Sequence, residues 1–244
     1  MAARTRFLDP TTPPHLATLI LLAGLSALAM NIFLPSLPGM AAWFGVSYGT
    51  MQQSVPLYLA LSAALQVVIG PLADRYGRRR VLQVALVIFL LVTLGTLLAP
   101  NATTFLICRM LQAVVAAGMV LSRAIVRDIT SDAEAASMIG YVTMGMSLVP
   151  MIGPVIGGWL DQAFGWQASF ATLLVLGLAV TLLVWRDLGE TASLRDTSIL
   201  AQLREYPLLL TSQRFWGYCL SAAFASGCFF AYLGGAPFVG NQVF

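Results

Sequence analysis

The chain has 244 residues, of which 59% are hydrophobic and only 9% are charged. Soluble domains carry about 25% charged residues, so this composition excludes an ordinary soluble domain and predicts an integral membrane protein. The net charge of +3 comes from arginine without any lysine, which excludes a P-loop lysine and a Schiff-base lysine. The arginines flank apolar runs, a placement typical of membrane topology signals and not of nucleic-acid binding.

Seven apolar runs are long enough to cross a bilayer as helices, since about 20 helical residues cover roughly 30 Å of hydrocarbon. The proline-rich residues 35–39 are expected to end the first span and residues 41–50 to form an uncharged loop. Residues 127–137 are expected to form a charged loop. The predicted spans are His15–Leu34, Met51–Ala73, Val81–Ala99, Thr103–Val126, 138–160, Trp166–Trp185 and a seventh that begins near Phe215.

This pattern predicts three regions. Residues 1–185 form a six-helix bundle, residues 186–214 a cytoplasmic linker, and residues 215–244 the start of a second bundle. Apart from Arg109, and with Arg123 counted at the end of its helix, every arginine lies in the N-terminal tail or follows the second, fourth or sixth span, which places the N-terminus in the cytoplasm. A short helix on the membrane surface is predicted within the linker from four residues on one helical face, Ile199, Leu200, Leu203 and Tyr206.

The most charged stretch lies between the second and third spans. Residues 70–82, GPLADRYGRRRVL, carry five charges between long uncharged runs, so this turn has to face water. Asp74 can pair there with an arginine or meet the positive N-terminus of a neighbouring helix. Gly70 would allow close helix packing, and Gly77 would permit a tight turn. Residues 158–165 repeat the pattern of residues 70–77, which predicts two three-helix repeats that face opposite sides of the membrane.

Arg109 is the one clearly intramembrane charge of the sequence. Insertion of a buried arginine costs at least about 2.5–3.5 kcal/mol, which favours a polar cavity around the side chain. Gln112, Ala116 and Met119 share its helical face, and we assign this face to a central cavity. Snorkelling of the side chain towards the outer surface is the alternative.

Three polar residues of the second span, Tyr58, Ser62 and Gln66, are spaced four apart. This spacing places them on one helical face, where they would either line the same cavity or bind neighbouring helices. The three cysteines all fall inside apolar runs. We interpret them as small buried residues and not as a disulfide or a metal site.

Residues 70–82 resemble motif A of the major facilitator superfamily, G-x-L-a-D-r-x-G-r-[KR]-x-x-l, at every defined position. Residues 109–112 resemble its motif B, and residues 153–158, GPVIGG, resemble the antiporter motif C. Residues 31–38 and 235–239 are similar to the bicyclomycin-resistance (Bcr/CflA) branch of the drug:proton antiporters. The resemblance implies an all-α major facilitator fold, of which this chain supplies the N-terminal six-helix bundle of two inverted repeats, the linker and helix 7.

The resemblance also implies roles for the motif residues. Those of motif A would latch the two halves of the transporter in the outward-facing state, and the alternative is that its arginines only enforce topology. The motif A residues are Gly70, Asp74, Arg75, Gly77 and Arg78. Motif C, with Gly153, Pro154, Gly157 and Gly158, would separate antiport from symport, and the alternative is a helix-packing face alone.

Coupling and cavity roles are predicted for Arg109, Gln112, Asn31, Tyr58 and Met119. Asn31 occupies a position where relatives often have an acidic residue, and an amide cannot titrate. No acidic residue lies well inside a predicted span. We therefore expect the proton-carrying acid in the C-terminal half of the full-length protein.

The predicted function is proton-coupled efflux of amphipathic drug-like compounds by a secondary transporter. Its expected partners are the small substrate, protons and the lipid bilayer, with no cofactor and no nucleic acid. The full-length protein is expected to be a monomer in a bacterial inner membrane. The alternatives are a proton-coupled uptake symporter and a non-transporting receptor or assembly subunit. An intramembrane enzyme would need a catalytic acid, a histidine within a span or a metal set, and the sequence offers none of these.

Overall fold

The computed structural model describes residues 6–192 and 206–243, and all regular structure in these ranges is helical. The chain divides into two compact units, Met1–Leu194 and Arg195–Phe244. Six segments of the first unit are long and apolar enough to cross a membrane, which agrees with the predicted all-α membrane fold. We call them spans 1 to 6: Leu16–Phe44, Tyr48–Tyr76, Arg78–Leu97, Ala102–Ile129, Glu134–Phe164 and Gln167–Asp187.

Spans 1, 2 and 4 are built from shorter helical pieces, whereas spans 3 and 6 are single helices. Span 5 belongs to a single helix, Asp132–Phe164. The pieces of span 1 are Leu16–Asn31, the 3-10 turn Leu34–Ser36 and Leu37–Phe44. The pieces of span 2 are Tyr48–Gln52 and Pro56–Tyr76. Those of span 4 are Ala102–Leu111, the 3-10 turn Gln112–Val115 and Ala116–Ile129.

The prediction of a loop after the first span was wrong. Pro35 and Pro38 each occupy the first turn of a helical piece, where the missing N–H of proline costs nothing, so the chain stays helical up to Phe44. Gly45, with φ +63°, ends this helix, and Ser47 caps the next one through its hydroxyl. The uncharged loop predicted for residues 41–50 therefore shrinks to a few residues.

The charged loop predicted for residues 127–137 is also mostly helical. Span 4 continues to Ile129, and the helix of span 5 already begins at Asp132. Charged residues were interpreted as the boundary of the helices, but a helix that leaves the bilayer can continue into water. Ser131, in extended conformation, stands at the N-cap of the new helix.

Two glycines connect consecutive helices in equivalent places. Gly77 lies between spans 2 and 3 with φ +97°, and Gly165 lies between spans 5 and 6 with φ +83°. Positive φ angles of this kind strongly favour glycine. Gly77 and Gly165 end the two stretches that echo each other in sequence, so the echo extends to the backbone conformation of the turn.

Span 1 forms the centre of the first unit. Of its apolar window 61% is buried, against 11% for span 5. Gly118 of span 4 faces Leu22 and Ser26, and the Ser26 hydroxyl donates a hydrogen bond of 2.6 Å to the Val115 carbonyl oxygen. Small residues therefore bring spans 1 and 4 close together, as is common between membrane helices.

The second unit contains the helices Tyr206–Leu210 and Gln213–Val243. The longer helix occupies the place of the predicted seventh span, and its crossing of the membrane stays a prediction. The predicted surface helix of the linker lies mostly outside the described residues, which include only Tyr206 of its four apolar positions.

Candidate functional site

Arg109 lies in the middle of the first unit, and none of its surface is exposed. Its guanidinium group is held between two aromatic rings. The guanidinium carbon lies 4.2 Å from the ring centroid of Phe33 in span 1 and 4.1 Å from that of Tyr58 in span 2. Cation–π contacts contribute about 2 kcal/mol each when they are desolvated. The two rings therefore offset much of the cost of burying the charge.

Polar side chains surround the edge of the guanidinium group. Arg109 Nη1 donates to Gln112 Oε1 at 2.8 Å, and Gln112 Nε2 donates to Thr93 Oγ1 at 2.8 Å. The Thr93 hydroxyl in turn donates to the carbonyl oxygen of Phe89 at 2.6 Å. Gln112 begins the 3-10 turn of span 4, so the helix changes its winding next to the charged residue. This network connects spans 3 and 4 and fixes the orientation of Arg109.

Arg109 Nε and Asn31 Oδ1 are among the buried polar atoms that have no hydrogen-bond partner among the described residues. The amide nitrogen of Asn31 donates to the Ala27 carbonyl oxygen of its own helix at 2.7 Å. No carboxylate within residues 6–192 and 206–243 forms an ion pair with Arg109. The buried cation is therefore stabilised by aromatic rings and an amide, and its counter-charge is supplied by none of the described residues.

The remaining residues assigned to a cavity lie in different surroundings. The structure brings Tyr58 and Gln112 to Arg109, and all three side chains are buried. The assignment of their surroundings to a central cavity stays a prediction. Met119 is partly exposed and forms no part of the cluster. Ser62 is buried, and its hydroxyl accepts a hydrogen bond of 3.2 Å from Gln66 of the same helix.

The second polar site lies where the ends of spans 2, 4 and 6 meet the start of span 3. Arg78 Nη2 lies 3.4 Å from Asp74 Oδ1, one helical turn earlier in the chain. The same atom donates to Asp128 Oδ1 at 3.1 Å, and Arg78 Nε lies 2.5 Å from Asp128 Oδ2. Arg78 is therefore neutralised by two carboxylates, one from span 2 and one from span 4. Asp74 thus pairs with an arginine, one of the two options that the sequence left open.

Glu190, which follows span 6, completes this site. Glu190 Oε1 accepts a hydrogen bond of 2.8 Å from the backbone N–H of Arg78, the first residue of span 3. A carboxylate at this position satisfies a free N–H group and interacts favourably with the helix dipole. A side chain at Gly77 would displace the Glu190 carboxylate, whereas the requirement for glycine there comes from its positive φ angle.

Two other motif A residues lie at the edge of this site. The Arg75 guanidinium carbon lies 5.5 Å from the ring centroid of Tyr76, and both residues are exposed. The close helix packing predicted at Gly70 is not found within the described residues, because a Cβ atom at this position would have nothing within 4 Å. A side chain at Gly70 would therefore have open space around its Cβ atom.

Motif C lies where span 5 packs against span 1. A side chain at Gly157 would collide with the carbonyl oxygen of Ile32, whereas a Cβ atom at Gly158 would lie 3.6 Å from Pro35 Cβ. A Cβ atom at Gly153 would lie 3.7 Å from the Cβ atom of Asn31. Pro154, between these glycines, lies inside the helix. The motif therefore brings span 5 directly onto the part of span 1 that carries Asn31 and Phe33.

Several members of both sites were not predicted from the sequence. Phe33 lies within residues 31–38, which resemble the bicyclomycin-resistance branch, but its aromatic character was not used. Asp128 and Glu190 follow the predicted fourth and sixth spans, on the membrane side predicted for motif A. Their positions in the sequence could therefore have indicated that they lie near motif A. Thr93 gave no signal, because a lone threonine in an apolar span is ordinary. Within the described residues, no group of three or more His, Cys, Asp or Glu side chains is placed to hold a metal ion.

Comparison with known proteins gives relatives named as transporters and as drug resistance proteins. The chain is 34% identical to the uncharacterized MFS-type transporter YdgK of Bacillus subtilis, with 97% of this chain and 61% of the relative aligned. It is 35% identical to a chloramphenicol resistance protein of Pseudomonas aeruginosa, with coverage of 91% and 54%. A bicyclomycin resistance protein homologue of Haemophilus influenzae is 28% identical, with coverage of 88% and 55%. The chain thus spans between about half and three fifths of the length of these relatives.

The fold also has counterparts among solved structures. A bacterial homologue of the human lysosomal transporter Spinster superposes with a TM-score of 0.65 at 19% identity, over 91% of this chain and 54% of the other. The sequence signature described as Major Facilitator Superfamily matches residues 19–244. These findings confirm the resemblance drawn from motifs A, B and C, and the Haemophilus relative agrees with the bicyclomycin-resistance branch. The chain belongs to the Major Facilitator Superfamily, a family of multi-pass membrane transporters.

Proposed function

We propose that this chain is the N-terminal part of a secondary transporter that exports amphipathic drug-like compounds in exchange for protons. Residues 1–185 are its first six-helix bundle, residues 186–214 its linker, and residues 215–244 its seventh helix and the start of the second bundle. The relatives named for chloramphenicol and bicyclomycin resistance support a drug as the substrate. The proposed activity is transport and not catalysis, and it needs no cofactor.

The observation that carries this proposal is the buried, unneutralised Arg109. A buried cation with no counter-charge among the described residues of its bundle is suited to respond to a charge that arrives from outside the bundle. In the full-length protein that charge is a carboxylate of the second bundle, which binds and releases the proton. Arg109 and Gln112 form the responsive group, and Phe33, Tyr58 and Asn31 surround it. Met119 lies further along span 4, where it lines the substrate path.

The motif A site is proposed as the cytoplasmic gate. Gly70, Asp74, Arg75, Gly77 and Arg78 form a latch that holds the two bundles together at the cytoplasmic side in the outward-facing state. The pairing of Arg78 with Asp74 and Asp128 supports this role, because a charge network that spans several helices can rearrange as a unit. Gly70 lies on an uncovered face of span 2, which leaves room for a helix of the second bundle.

Motif C is proposed to favour antiport over symport. Gly153, Pro154, Gly157 and Gly158 let span 5 pack on the backbone of span 1 beside Asn31. Such a contact restricts how spans 1 and 5 can move separately. An uptake symporter on the same fold is the alternative, and the direction of proton-coupled transport separates the two.

The protein is proposed to reside as a monomer in a bacterial inner membrane with its N-terminus in the cytoplasm. Single cysteines test this orientation. We expect cysteines at Ser47 and Asn101 to react with a membrane-impermeant reagent added to intact cells, and a cysteine at Ser131 to remain unlabelled until the cells are opened. Labelling of the Ser131 variant in intact cells would invert the topology. Ser193, another cytoplasmic position by the sequence pattern, lies outside the described residues.

The decisive experiment is efflux by the full-length protein. Cells or proteoliposomes that carry it should export chloramphenicol and other amphipathic drugs when the proton gradient is directed inward, and the export should stop when the gradient is collapsed. Proton-coupled accumulation of the same compounds would identify a symporter. Binding without movement under any gradient would identify a receptor or assembly subunit.

A further inference from the structure

Asp187, the last residue of span 6, is completely buried. Its carboxylate accepts three hydrogen bonds, and all three donors belong to residues 8–18. They are the backbone N–H groups of Leu8 at 2.8 Å and His15 at 2.9 Å, and the hydroxyl of Thr18 at 2.5 Å. No ion pair with Asp187 is present among the described residues. A buried carboxylate without a cation is tolerated only when it is hydrogen-bonded, so Asp187 depends on this N-terminal segment.

Three further features show that residues 8–18 are closely held against the end of span 6. Leu8 has a φ angle of +64°, a conformation that is unfavourable for a leucine and that aims its N–H at Asp187. A side chain at Gly189 would collide with the carbonyl oxygen of Pro10. Phe7 packs edge-on against His15 with ring centroids 5.3 Å apart. Residues 8–18 therefore follow a defined path.

The short segment that follows span 6 also contacts the motif A site. Glu190 accepts the hydrogen bond from the Arg78 backbone N–H, and the Thr191 hydroxyl donates to Asp128 at 3.3 Å. Only Leu188 and Gly189 separate Asp187 from Glu190, and both are buried. Residues 187–191 are thus held at one end by the N-terminal segment and at the other end by Arg78 and Asp128.

We propose that Asp187 is a positioning residue for the motif A site. By binding residues 8–18 it fixes the start of segment 187–191, and this fixed start holds Glu190 at the N-terminus of span 3. The N-terminal tail is therefore a structural part of the site that surrounds Arg78. The gating consequence of this coupling rests on the proposed function, whereas the physical coupling between residues 8–18 and Arg78 does not.

Hydrogen–deuterium exchange of the full-length protein in detergent micelles tests the physical coupling without any transport assay. We expect Asp187→Ala to accelerate exchange several-fold in peptides that contain Leu8 and His15, and also in the peptide that contains Arg78. Glu190→Gln should accelerate only the Arg78 peptide. The matched control is Asp9→Asn, because among the described residues the Asp9 carboxylate accepts hydrogen bonds only from Thr11. This control should leave both regions at wild-type rates.

Thr18→Val removes one donor and leaves the other two, so it keeps the test decisive should Asp187→Ala fail to accumulate. It should accelerate both regions in the same direction, by a smaller factor. Faster exchange at Leu8 with unchanged exchange at Arg78, in either variant, would overturn the proposal and reduce Asp187 to a local anchor of the tail.

Efflux kinetics test the consequence for the gate. Asp187→Ala and Glu190→Gln should each lower the maximal rate of transport and leave the apparent KM for the drug near its wild-type value, since neither touches the Arg109 site. The double variant should transport no worse than the more impaired single variant, because both act through the position of Glu190. Additive losses would mean that Asp187 acts on transport by another route. If Asp187→Ala accelerates exchange both in residues 8–18 and at Arg78, but the wild-type protein transports no drug, then the proposed function is refuted and the positioning role of Asp187 stands.

Discussion

The first unit contains two arginine sites of opposite design. Arg109 is fully buried between two aromatic rings and has no carboxylate partner among the described residues. Arg78 is partly exposed and is paired with Asp74 and Asp128. The first cation is held in place but remains unneutralised, whereas the second is neutralised within its own bundle.

The difference indicates what each site can respond to. A buried charge without a counter-ion changes its energy strongly when a charge arrives, because the surrounding dielectric constant is low. A charge that already has two carboxylates responds to rearrangement of the helices that supply them. The Arg109 site is therefore suited to sense a proton or a substrate, and the Arg78 site is suited to sense conformation.

The largest effect is expected from Arg109→Ala in the full-length protein. A hydrogen bond to a charged group contributes about 1.5–3 kcal/mol, which corresponds to roughly a tenfold to hundredfold change at 1.4 kcal/mol per factor of ten. Proton-coupled efflux should fall at least about tenfold. Arg109→Lys should be intermediate, because an ammonium group keeps the charge but cannot stack between Phe33 and Tyr58 in the same way.

The control for this prediction is Arg127→Ala. Arg127 lies in the same span, is exposed, and has no described hydrogen-bond or ion-pair partner, so its removal tests expression and insertion alone. Drug efflux is measured at a fixed inward proton gradient. Wild-type efflux by Arg109→Ala at normal expression would contradict the assignment of Arg109 to coupling.

The second effect concerns the helix packing that supports the Arg109 site. A methyl group at Gly157 would collide with the carbonyl oxygen of Ile32, which is next to Phe33 in sequence, whereas Gly158 has room for one. Overpacking costs typically about 1–3 kcal/mol. Gly157→Ala should therefore lower the thermal stability of the full-length protein and reduce efflux about fivefold, by moving Phe33 from Arg109.

Gly158→Ala is the matched control, since a Cβ atom there would lie 3.6 Å from Pro35 Cβ, an ordinary contact. Thermal unfolding in detergent and drug efflux are measured for both variants. Equal stability of the two variants would mean that span 5 does not support the Arg109 site through Gly157.

These two sites also show how far the sequence could predict the structure. Charge placement was sufficient to find Arg109, Arg78 and the six spans of the first unit, because a charged residue in an apolar run has few physical explanations. Helix ends were predicted poorly. Proline and charge were interpreted as stops, yet Pro35 and Pro38 begin helical pieces and span 4 continues past Arg127.

The partners of the arginines were harder to predict than the arginines. Phe33, Thr93 and Asp128 lie on three different spans, and their contacts depend on how helices far apart in sequence pack together. Sequence periodicity gives the face of one helix but not the neighbour that the face meets. For Arg109 the structure shows the predicted neighbourhood of Gln112, whose side chain accepts its hydrogen bond, while the central cavity around them stays a prediction.

A smaller effect is expected at the Arg78 site. Partly exposed ion pairs contribute about 0–1 kcal/mol, so Asp128→Asn or Asp74→Asn should reduce efflux by at most about fivefold while membrane insertion stays normal. The charge-reversed double variant Arg78→Asp, Asp128→Arg should recover part of the activity that Arg78→Asp loses. Efflux rates at matched expression measure this. Unchanged efflux in Asp74→Asn and Asp128→Asn would reduce the site to a topology signal.

The smallest effect on the maximal rate of efflux is expected for Asn31→Asp. This variant is also the most specific test of the difference between the Arg109 and Arg78 sites. Asn31 Oδ1 is buried without a partner among the described residues, two positions before Phe33 in span 1, so an aspartate of the same shape would add a buried carboxyl group to the span that contacts Arg109. The variant would make this site more similar to the Arg78 site. A carboxyl group binds and releases a proton, which neither an asparagine nor an arginine does in the physiological range. Maximal efflux should therefore change little, while the pH of half-maximal efflux should move by roughly half a unit, equivalent to about 0.7 kcal/mol.

Asn31→Ala removes the unpaired oxygen without adding a titratable group, and its pH profile should match the wild type. If the Asn31→Asp profile also superimposes on the wild type, the carboxyl group does not communicate with the proton-carrying acid, and Asn31 has no part in coupling.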